Sequence, residues 1–451
     1  MAFGGKWETQ NKELNGAYVN IETDSLVVKG IDSRGKAAIP VHLDWGEPYE
    51  VTEVSPTTDF IGTFGKELKD IPELLHALKG NSKLYAFNLA SKDGKKSKAN
   101  HSADDGLTVT VEASKPGALG NKVTVAVEPA PGGQLIITEY LDGMQVKQAN
   151  VEIKADATEE IVLQLTTVII QAGSGASLAE AVALKLEGGV SGTVTGESWT
   201  EFLKAIDKLN VKAFSAAPED ESVKTIITAQ VKTWRDDEGK MVVASLPDFA
   251  EADFEGVRSM LNGLYLKDGF VDKEMLVHFD AAAYANAGPD SLTYKTYPGA
   301  VGVEALSKDE LIKAKREGHL TWVMDFGADG FDRVVLESDI NTLTTFTPKK
   351  NQDFRKGKIV RAMDHMTINI QHIWARYFIG KVNNNEDGRK LFKGSVYSAV
   401  LAPMENLEMI EGASIDDIEV SQGEEKDAVV AVIGVKFIDA MEKLYVTVNC
   451  E

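Results

Sequence analysis

Apolar and polar residues alternate at both ends of the chain. Near the N-terminus the alternating residues are Ala17, Tyr18, Val19, Asn20 and Ile21. Near the C-terminus they are Leu444, Tyr445, Val446, Thr447 and Val448. This period of two predicts β-strands, and a strand has to pair its backbone N–H and C=O groups. We therefore expect each end to add to a sheet edge, either in its own subunit or in a neighbouring one.

Between the two ends, the pattern changes back and forth between strand and helix periods. Strands are predicted over 38–43, 49–54 and 83–89, and an amphipathic helix over 71–78. The alternation resumes after residue 192, with helices predicted over 199–209, 222–236 and 253–261 and strands over 213–215, 241–246 and 275–279. Strands that alternate with helices predict parallel crossover connections and a doubly wound sheet.

A run of short strands interrupts this α/β pattern. It follows a stretch rich in Lys and Ser at 91–105, and its strands are predicted over 107–112, 122–128 and 135–141. Turn residues such as Pro131, Gly132 and Gly133 separate them. The spacing predicts a small antiparallel β-sandwich, inserted into the α/β region and ending near residue 186.

A third region begins near residue 322. It contains a strong helix over 361–379 and a predicted strand pair over 428–438 and 443–450. The helical spacing of its apolar residues favours a core or interface position for Trp374, Tyr377 and Phe378. The predicted organisation is an N-terminal arm (1–21), an α/β core in two parts (22–92 and 191–321), an inserted β-sandwich (93–190), an α+β C-terminal domain (322–440) and a C-terminal arm strand (441–451).

Composition excludes several classes of partner. The 451 residues are 43% apolar, enough for real cores and about three domains on the usual length prior. With 48 Lys and Arg against 69 Asp and Glu, the net charge of −21 argues against general binding to nucleic acid or anionic membrane. The apolar runs are too short for a membrane span, so we expect no direct membrane insertion and a product made in the cytoplasm. A single cysteine, Cys450, allows neither an internal disulfide nor a Cys-rich zinc site.

Charge is unevenly distributed in the third region. The segment 349–361 holds six basic residues and one acid, whereas 408–427 holds eight acids and one Lys. Such runs are usually solvated surface. The alternative is a polar docking face that meets an acidic neighbour. The candidate residues for that face are Lys349, Lys350, Arg355, Lys356, Lys358 and Arg361.

The sequence contains no recognisable catalytic motif. There is no phosphate-binding Gly-rich loop, and the surroundings of Ser191 do not match a nucleophile elbow. Asp248 and His278 follow or end predicted strands, which keeps an α/β hydrolase with a β-rich insertion as an alternative, but an Asp there is also a common helix cap. His365 and His372 are too far apart to hold one metal alone. We therefore expect no catalytic, cofactor-binding or metal-binding residues.

The chain resembles a known family in three respects. These are the string Gly16 to Asn20, the α/β region interrupted by a β-rich insertion, and the string Val435 to Val448. Together they resemble the tail sheath proteins of contractile-tailed phages and phage-tail-like particles, in the form found in phages and defective prophages of Gram-positive bacteria.

The resemblance implies a structural protein with a subtilisin-like core that performs no proteolysis. It also implies an outward-facing β-sandwich, a C-terminal domain nearest the inner tube, and terminal arms that reach into the C-terminal domains of neighbouring subunits. The implied partners are copies of the same chain in stacked hexameric rings, the tail tube protein, and baseplate and tail terminator proteins. The implied location is a virion tail assembled in the host cytoplasm. A monomeric binding module that folds its terminal strands internally is a further alternative.

Overall fold

A computed structural model describes residues 3–5, 16–18, 35–102, 108–131, 134–152, 161–172, 183–327 and 330–449. By their contacts the residues divide into two units. One comprises Met1–Ser33 and Arg361–Ala440, and we call its part from Arg361 to Ala440 the C-terminal unit. The other comprises Arg34–Val360 and Met441–Glu451, and we call its part from Arg34 to Val360 the core unit. This division differs from the expected start of the C-terminal domain at residue 322.

The strands are numbered in chain order. They are β1 (Phe3–Gly5), β2 (Gly16–Tyr18), β3 (Ala37–Val41), β4 (Val51–Val54), β5 (Leu84–Asn88), β6 (Lys98–Ser102), β7 (Thr108–Ala113), β8 (Val123–Ala130), β9 (Gln134–Leu141), β10 (Met144–Glu152), β11 (Ile161–Gln164), β12 (Val168–Ala172), β13 (Ala183–Lys185), β14 (Ala213–Ser215), β15 (Val243–Pro247), β16 (Val257–Met260), β17 (Leu264–Leu266), β18 (Gly269–Val271), β19 (Ala300–Val303), β20 (His319–Leu320), β21 (Trp322–Phe326), β22 (Asp332–Leu336), β23 (Ile410–Glu411), β24 (Ile418–Gln422), β25 (Val429–Ile433) and β26 (Lys436–Phe437).

The α-helices are also numbered in chain order. They are α1 (Phe60–Phe64), α2 (Pro72–Gly80), α3 (Gly196–Lys208), α4 (Glu221–Lys232), α5 (Lys273–Asn286), α6 (Lys308–Glu317), α7 (Gly357–Ile373), α8 (Glu386–Val396) and α9 (Ala402–Asn406). Single π-helical turns extend α4, α7 and α8 at Thr233–Asp237, Trp374–Phe378 and Tyr397–Leu401.

Helices cover both faces of the central sheet of the core unit. In the described residues, seven strands follow the order β20-β16-β15-β14-β3-β5-β4, and all neighbours are parallel except β4 and β5. Ala37, Ile39 and Val41 belong to one apolar cluster with residues of α2 and α5, whereas Ala38 belongs to a second cluster with residues of α3 and α4. Because both faces are covered, every residue of β3 is buried, as is usual for parallel sheets.

Two predictions in this region are wrong. The helix predicted over 253–261 is in fact strand β16, which pairs with β15 and β20 and is buried at all four positions. The strand predicted over 275–279 is part of α5, which begins at its cap Asp272. All residues of α5 from Leu276 to Ala285 are buried, including His278 and Asp280, so the helix has no polar face to mark its period and the sequence does not distinguish its start from a buried strand.

The residues between 98 and 185 form two four-stranded sheets. Their orders are β10-β9-β8-β13 and β11-β12-β7-β6, and the pairs within each are antiparallel. A separate apolar cluster that includes Val111, Val125 and Ile137 fills their core. Strand β6 lies in the stretch rich in Lys and Ser at 91–105, where no strand is predicted. Its polar residues form a strand because they pair with β7.

The C-terminal unit packs helices and short strands around one apolar cluster. The helix predicted over 361–379 is confirmed by α7 and its π-helical turn. The rings of Trp374, Phe378 and Phe392 contact one another, with centroids 5.1 to 5.9 Å apart, and Phe378 is buried as expected of a core residue. The predicted pair of strands over 428–438 and 443–450 is wrong for the described residues. Strand β25 pairs with β24, and β26 pairs with β23.

Near the N-terminus, β2 pairs in parallel with β1. Ala17 and Tyr18 lie in β2, so these two residues of the predicted strand are extended as expected. Val19, Asn20 and Ile21 lie outside the described residues.

Candidate functional site

The C-terminal arm, residues 441–451, exposes its apolar side chains. Leu444, Tyr445, Val446 and Val448 are between 69% and 89% exposed. In the described part, 441–449, the arm is not paired as a strand. Alternating apolar residues with unpaired backbone groups are a template for pairing with another strand. The arm therefore has the character of a strand without a partner in its own subunit.

One residue near the start of this arm is docked on the core unit. The Glu442 carboxylate accepts a hydrogen bond from the Thr293 hydroxyl at 2.8 Å and forms an ion pair with Lys356. Its side chain is 14% exposed, whereas that of the preceding Met441 is fully exposed. The sequence patterns did not single out Glu442, because a lone acid in a polar turn carries no signal of a distant partner.

The hairpin of β24 and β25 offers open strand edges in the C-terminal unit. Within the described residues it pairs with no third strand. On β25, Val430 and Val432 are 49% and 61% exposed. Two-stranded sheets with exposed valines are marginal in water, and a further strand stabilises them.

A cavity of about 550 Å³ lies at the beginning of β25. Trp374, Phe378 and Phe392 supply its aromatic part, and Arg389 and Asp427 supply charge. Val429, the first residue of β25, also lines it. The Asn384 amide donates to the carbonyls of Lys426 and Ala428 at 2.9 and 2.8 Å, which holds the chain just before the strand.

The basic segment does not form one continuous exposed face. Lys350 forms ion pairs with Asp236 at 3.4 Å and Glu255 at 2.7 Å, and Arg355 donates to the carbonyl of Lys315. Arg361 is buried, and Lys356 is paired with Glu442. Of the six expected docking residues, Lys349 is exposed, Arg361 is buried, and the other four are partly exposed. The docking role of the six residues stays a prediction.

The candidate catalytic residues are engaged in structural contacts. His278 is in helix α5, not at a strand end, and its Nδ1 lies 2.8 Å from the Ser215 hydroxyl. Burial, with a further contribution from the charge of His76, lowers the pKa of His278 to about 3. Asp248 does follow a strand, β15, but its carboxylate is paired with Lys273 at 2.7 Å.

A Ser, His and Asp set that the sequence patterns missed occurs at the carboxyl ends of β15 and β16. The Ser259 oxygen lies 2.9 Å from His319 Nδ1 and accepts a hydrogen bond from the Phe249 N–H at 2.6 Å. His319 Nε2 is 4.0 Å from Asp248. Burial lowers the pKa of His319, and Ser259 is fully buried. Because Ser259 is fully buried, its hydroxyl is not accessible to a substrate in this structure.

The described part of the chain contains neither a cluster of metal-ligating side chains nor a helix able to cross a membrane. No group of three or more His, Cys, Asp and Glu side chains there could hold a metal ion. His365 is buried and His372 is exposed. None of the helices searched combines the length and the apolar character that crossing a bilayer requires.

Two family models match the chain. Residues 349–451 match the phage tail sheath C-terminal domain, and residues 34–89 match the N-terminal region of domain III of the tail sheath protein Gp18. Among curated proteins, the phage-like element PBSX protein XkdK of Bacillus subtilis is 28% identical, with 99% of each chain aligned. The tail sheath protein of Clostridium phage phiCD119 is 24% identical over 51% of this chain and 69% of that protein.

Solved structures show the same fold. The sheath tail protein of Desulfitobacterium hafniense superposes with a TM-score of 0.80 at 27% identity, covering 96% of this chain and 99% of that one. The sheath tail protein Lin1278 of Listeria innocua superposes with a TM-score of 0.76 at 26% identity, covering 92% and 94%. The chain is therefore a mixed α/β multidomain protein with the fold of sheath tail proteins.

Proposed function

We propose, from the confirmed resemblance of this chain to the tail sheath proteins, that it polymerises around a tail tube by exchanging its terminal strands and then contracts. The matched domains and the sheath tail structures support a structural role in a phage tail sheath and a place in the virion tail. They favour a structural over a catalytic protein. The observation that carries the proposal is the exposed, unpaired strand pattern of the C-terminal arm.

Strand addition explains both the arm and the hairpin. An arm of one copy that pairs with the β24–β25 hairpin of another would satisfy the backbone groups of both and cover Val430 and Val432. Alternate side chains of the arm would set the register, because a slip by one residue moves every side chain to the other face. The N-terminal arm, with Ala17 to Ile21, is proposed to act in the same way on a second neighbour.

Exchange of this kind generates an open assembly. A head-to-tail contact that does not close on itself produces a helical array, so linked hexameric rings would stack into a sheath around the tube. Flexible segments beside a paired strand let subunits rotate and shift without separating. Contraction would then drive the tube through the target cell envelope with energy stored in the extended lattice, without a nucleotide. Baseplate and tail terminator proteins would bound the sheath, which would be assembled in the host cytoplasm.

The finer features implied by the resemblance belong to the same proposal. The seven-stranded sheet with helices on both faces supports a subtilisin-like core without proteolytic function. Lys349 and Lys358 are proposed to contact an acidic surface on the tube or on the next subunit. Exposed pairs contribute about 0 to 1 kcal/mol each, which suits contacts that break when the lattice rearranges.

Removal of an arm tests the proposal. Purified protein is expected to form tubes or stacked rings in negative-stain micrographs, and a variant lacking residues 1–21 should stay folded without polymerising. The double variant V446D/V448D should have the same effect, since charges on an added strand oppose its burial. Its control is V190D/V194D, which introduces the same two charges at two exposed valines outside the arms.

Other outcomes identify the alternatives. Assembly that is unchanged in the 1–21 deletion and in V446D/V448D would contradict strand exchange. Covalent labelling by a serine-directed or cysteine-directed active-site probe would favour the α/β hydrolase. A monodisperse monomer from the intact chain under all conditions would favour the binding module.

A further inference from the structure

We infer that Glu442 is a positioning residue, which holds the start of the C-terminal arm on the core unit so that the following residues leave from a defined place. The inference rests on the proposed exchange of this arm and adds how the arm is presented. The site that receives Glu442 consists of Thr293 and Lys356, two residues that lie far from it in sequence.

The contacts of Glu442 use both carboxylate oxygens. Oε1 accepts from the Thr293 hydroxyl at 2.8 Å, and Oε2 pairs with the Lys356 ammonium. Hydrogen bonds to an ionised acceptor are stronger than neutral ones, and two partners on different elements also fix its orientation. Met441 and Leu444 are exposed on either side, so this docking contrasts with the rest of the arm.

Thr293 is itself held by the buried interior. Its hydroxyl oxygen accepts from the Asp339 N–H at 2.9 Å while its proton is donated to Glu442. The Asp339 carboxylate in turn accepts from the Arg258 guanidinium at 2.7 Å and from the Leu292 N–H at 3.1 Å. Because the hydroxyl already accepts from one side, its proton points to the carboxylate of the arm.

Lys356 is held by its backbone. It bridges to Ile340, and the next residue, Gly357, donates its N–H to the Asp339 carbonyl at 2.9 Å. A Cβ at Gly357 would lie 2.1 Å from an Asp339 carboxylate oxygen and 2.9 Å from an Arg258 nitrogen. Glycine at this position therefore permits the close approach that places Lys356 beside Glu442.

The buried part of this network is rigid. Arg258 also donates two hydrogen bonds to Asp280, at 2.9 and 2.8 Å, and both aspartates and the arginine are buried. Glu442 is thus connected through Thr293 and Asp339 to a charge network in the interior. A fixed exit point reduces the conformational freedom that the arm loses when it pairs with another copy, which favours binding by preorganisation.

Trypsin cleavage after Lys443 measures how often this anchor opens. The protease binds an extended segment on both sides of the scissile bond, so Glu442 has to leave its site before cleavage. When opening and closing are fast, the cleavage rate follows the open population. Release of residues 444–451 is followed by intact mass spectrometry, in full-length V446D/V448D protein so that polymerisation does not shield the arm.

The variants change the residues that bind Glu442 and leave the sequence around the cleaved bond unchanged. T293V removes the hydroxyl and K356M removes the ammonium, and each should accelerate cleavage about tenfold, the factor to which about 1.4 kcal/mol corresponds. T293S keeps the hydroxyl and should cleave at the parent rate. E219Q, a charge change at an exposed loop residue of the core unit, should also leave the rate unchanged. Urea midpoints show whether any variant weakens the whole fold.

The outcomes separate the anchor from the proposed function. Equal cleavage rates for T293V, T293S and the parent would overturn the anchor, even if the wild-type protein forms tubes. A tenfold difference between T293V and T293S supports the anchor, even if no tubes form and the proposed function fails. With wild-type arms, T293V should also assemble more slowly than T293S, which a merely local stabilising contact would not cause.

Discussion

The core unit and the C-terminal unit complete their β-structure to different degrees. Within the part that the structure describes, the core unit contains a seven-stranded sheet with helices on both faces, two four-stranded sheets, and smaller sheets of three and two strands. In the described residues, the C-terminal unit divides its strands between two two-stranded sheets and leaves valines of β25 in water. Unpaired strand edges with apolar side chains are templates for pairing with another strand. The difference marks the hairpin of β24 and β25 as an edge that a further strand could extend.

A network of charged residues lies in the interior of the core unit. The core unit buries Arg258 between Asp280 and Asp339. Although burial opposes the charge, the two carboxylates raise the pKa of Arg258 above its ordinary value. Removal of one member leaves the others charged and unpaired in the interior, which is far more costly than loss of an exposed pair.

The largest expected effect follows from breaking this network. R258M should destabilise the core unit by about 3 to 5 kcal/mol, because two buried carboxylates lose their counter-charge. Urea unfolding, followed by the fluorescence of core tryptophans such as Trp234 and Trp322, measures the loss. R316M, at an exposed arginine, is the control and should change stability by less than about 0.5 kcal/mol. Equal urea midpoints for R258M and R316M would show that the buried charge network does not stabilise the core unit.

A second prediction concerns the stability of the fold at low pH. Because the pKa of His278 is lowered from 6.5 to about 3, the folded state keeps it neutral while the unfolded chain binds a proton. Its stabilising contribution is full above about pH 6.5 and falls as the pH drops towards 3, by up to about 1.4 kcal/mol per pH unit. Burial and, to a smaller extent, the charge of Lys79 lower the pKa of His76 to about 4, so His76 also makes the fold less stable as the pH falls. Burial raises the pKa of Glu73, which acts in the opposite direction.

Stability measured from pH 7 to pH 5 checks this sign. The wild-type protein should lose up to about 2 kcal/mol for each of His278 and His76 between pH 6.5 and 5. H278N should flatten the slope of stability against pH by the contribution of one proton. Parallel slopes for the wild type and H278N would show that His278 is not held neutral by the fold.

The smallest effect on folding should accompany a large effect on assembly. V432K changes an exposed side chain of β25, so the free energy of unfolding should change by less than about 0.5 kcal/mol. Pelleting of polymer by ultracentrifugation should nevertheless fall sharply, since the charge would be buried by an added strand. V162K is the matched control, because Val162 on β11 is equally exposed at 61%. Equal loss of polymer in both variants would show that β25 is no more important for assembly than β11.

Patterns of short range predicted much of the secondary structure. Helix α4 and its π-helical turn, which together span 221–237, match the helix predicted over 222–236 to within one residue at each end, and β14 occupies the strand predicted over 213–215. The errors fall at β16 and α5, where polar residues such as Arg258, His278 and Asp280 are buried together with their apolar neighbours. Polar residues in such elements do not mark a solvent-facing side, so the sequence pattern does not reveal the period.

The candidate site, too, could be predicted from the sequence only in part. The strand character of the arm from Leu444 to Val448 follows from its alternation, and the absence of a strong nucleophile motif was also visible in the chain. The sequence could not show that Arg361 is buried or that Lys350 and Lys356 pair within the chain. A basic run has the same composition whether its charges face solvent, a neighbour or the interior, so only packing separates these cases.

The sequence by itself determined which segments favour strands and helices, that both terminal segments carry strand patterns, and the family resemblance. These properties depend on neighbouring residues, and the chain contains them directly. Only the tertiary structure decided that β25 keeps an open edge, that Ser259 is enclosed, and that Glu442 meets Thr293 and Lys356. Such contacts join residues up to 149 positions apart. They form because the folding of the intervening chain brings buried polar groups to partners, and no local pattern encodes that geometry.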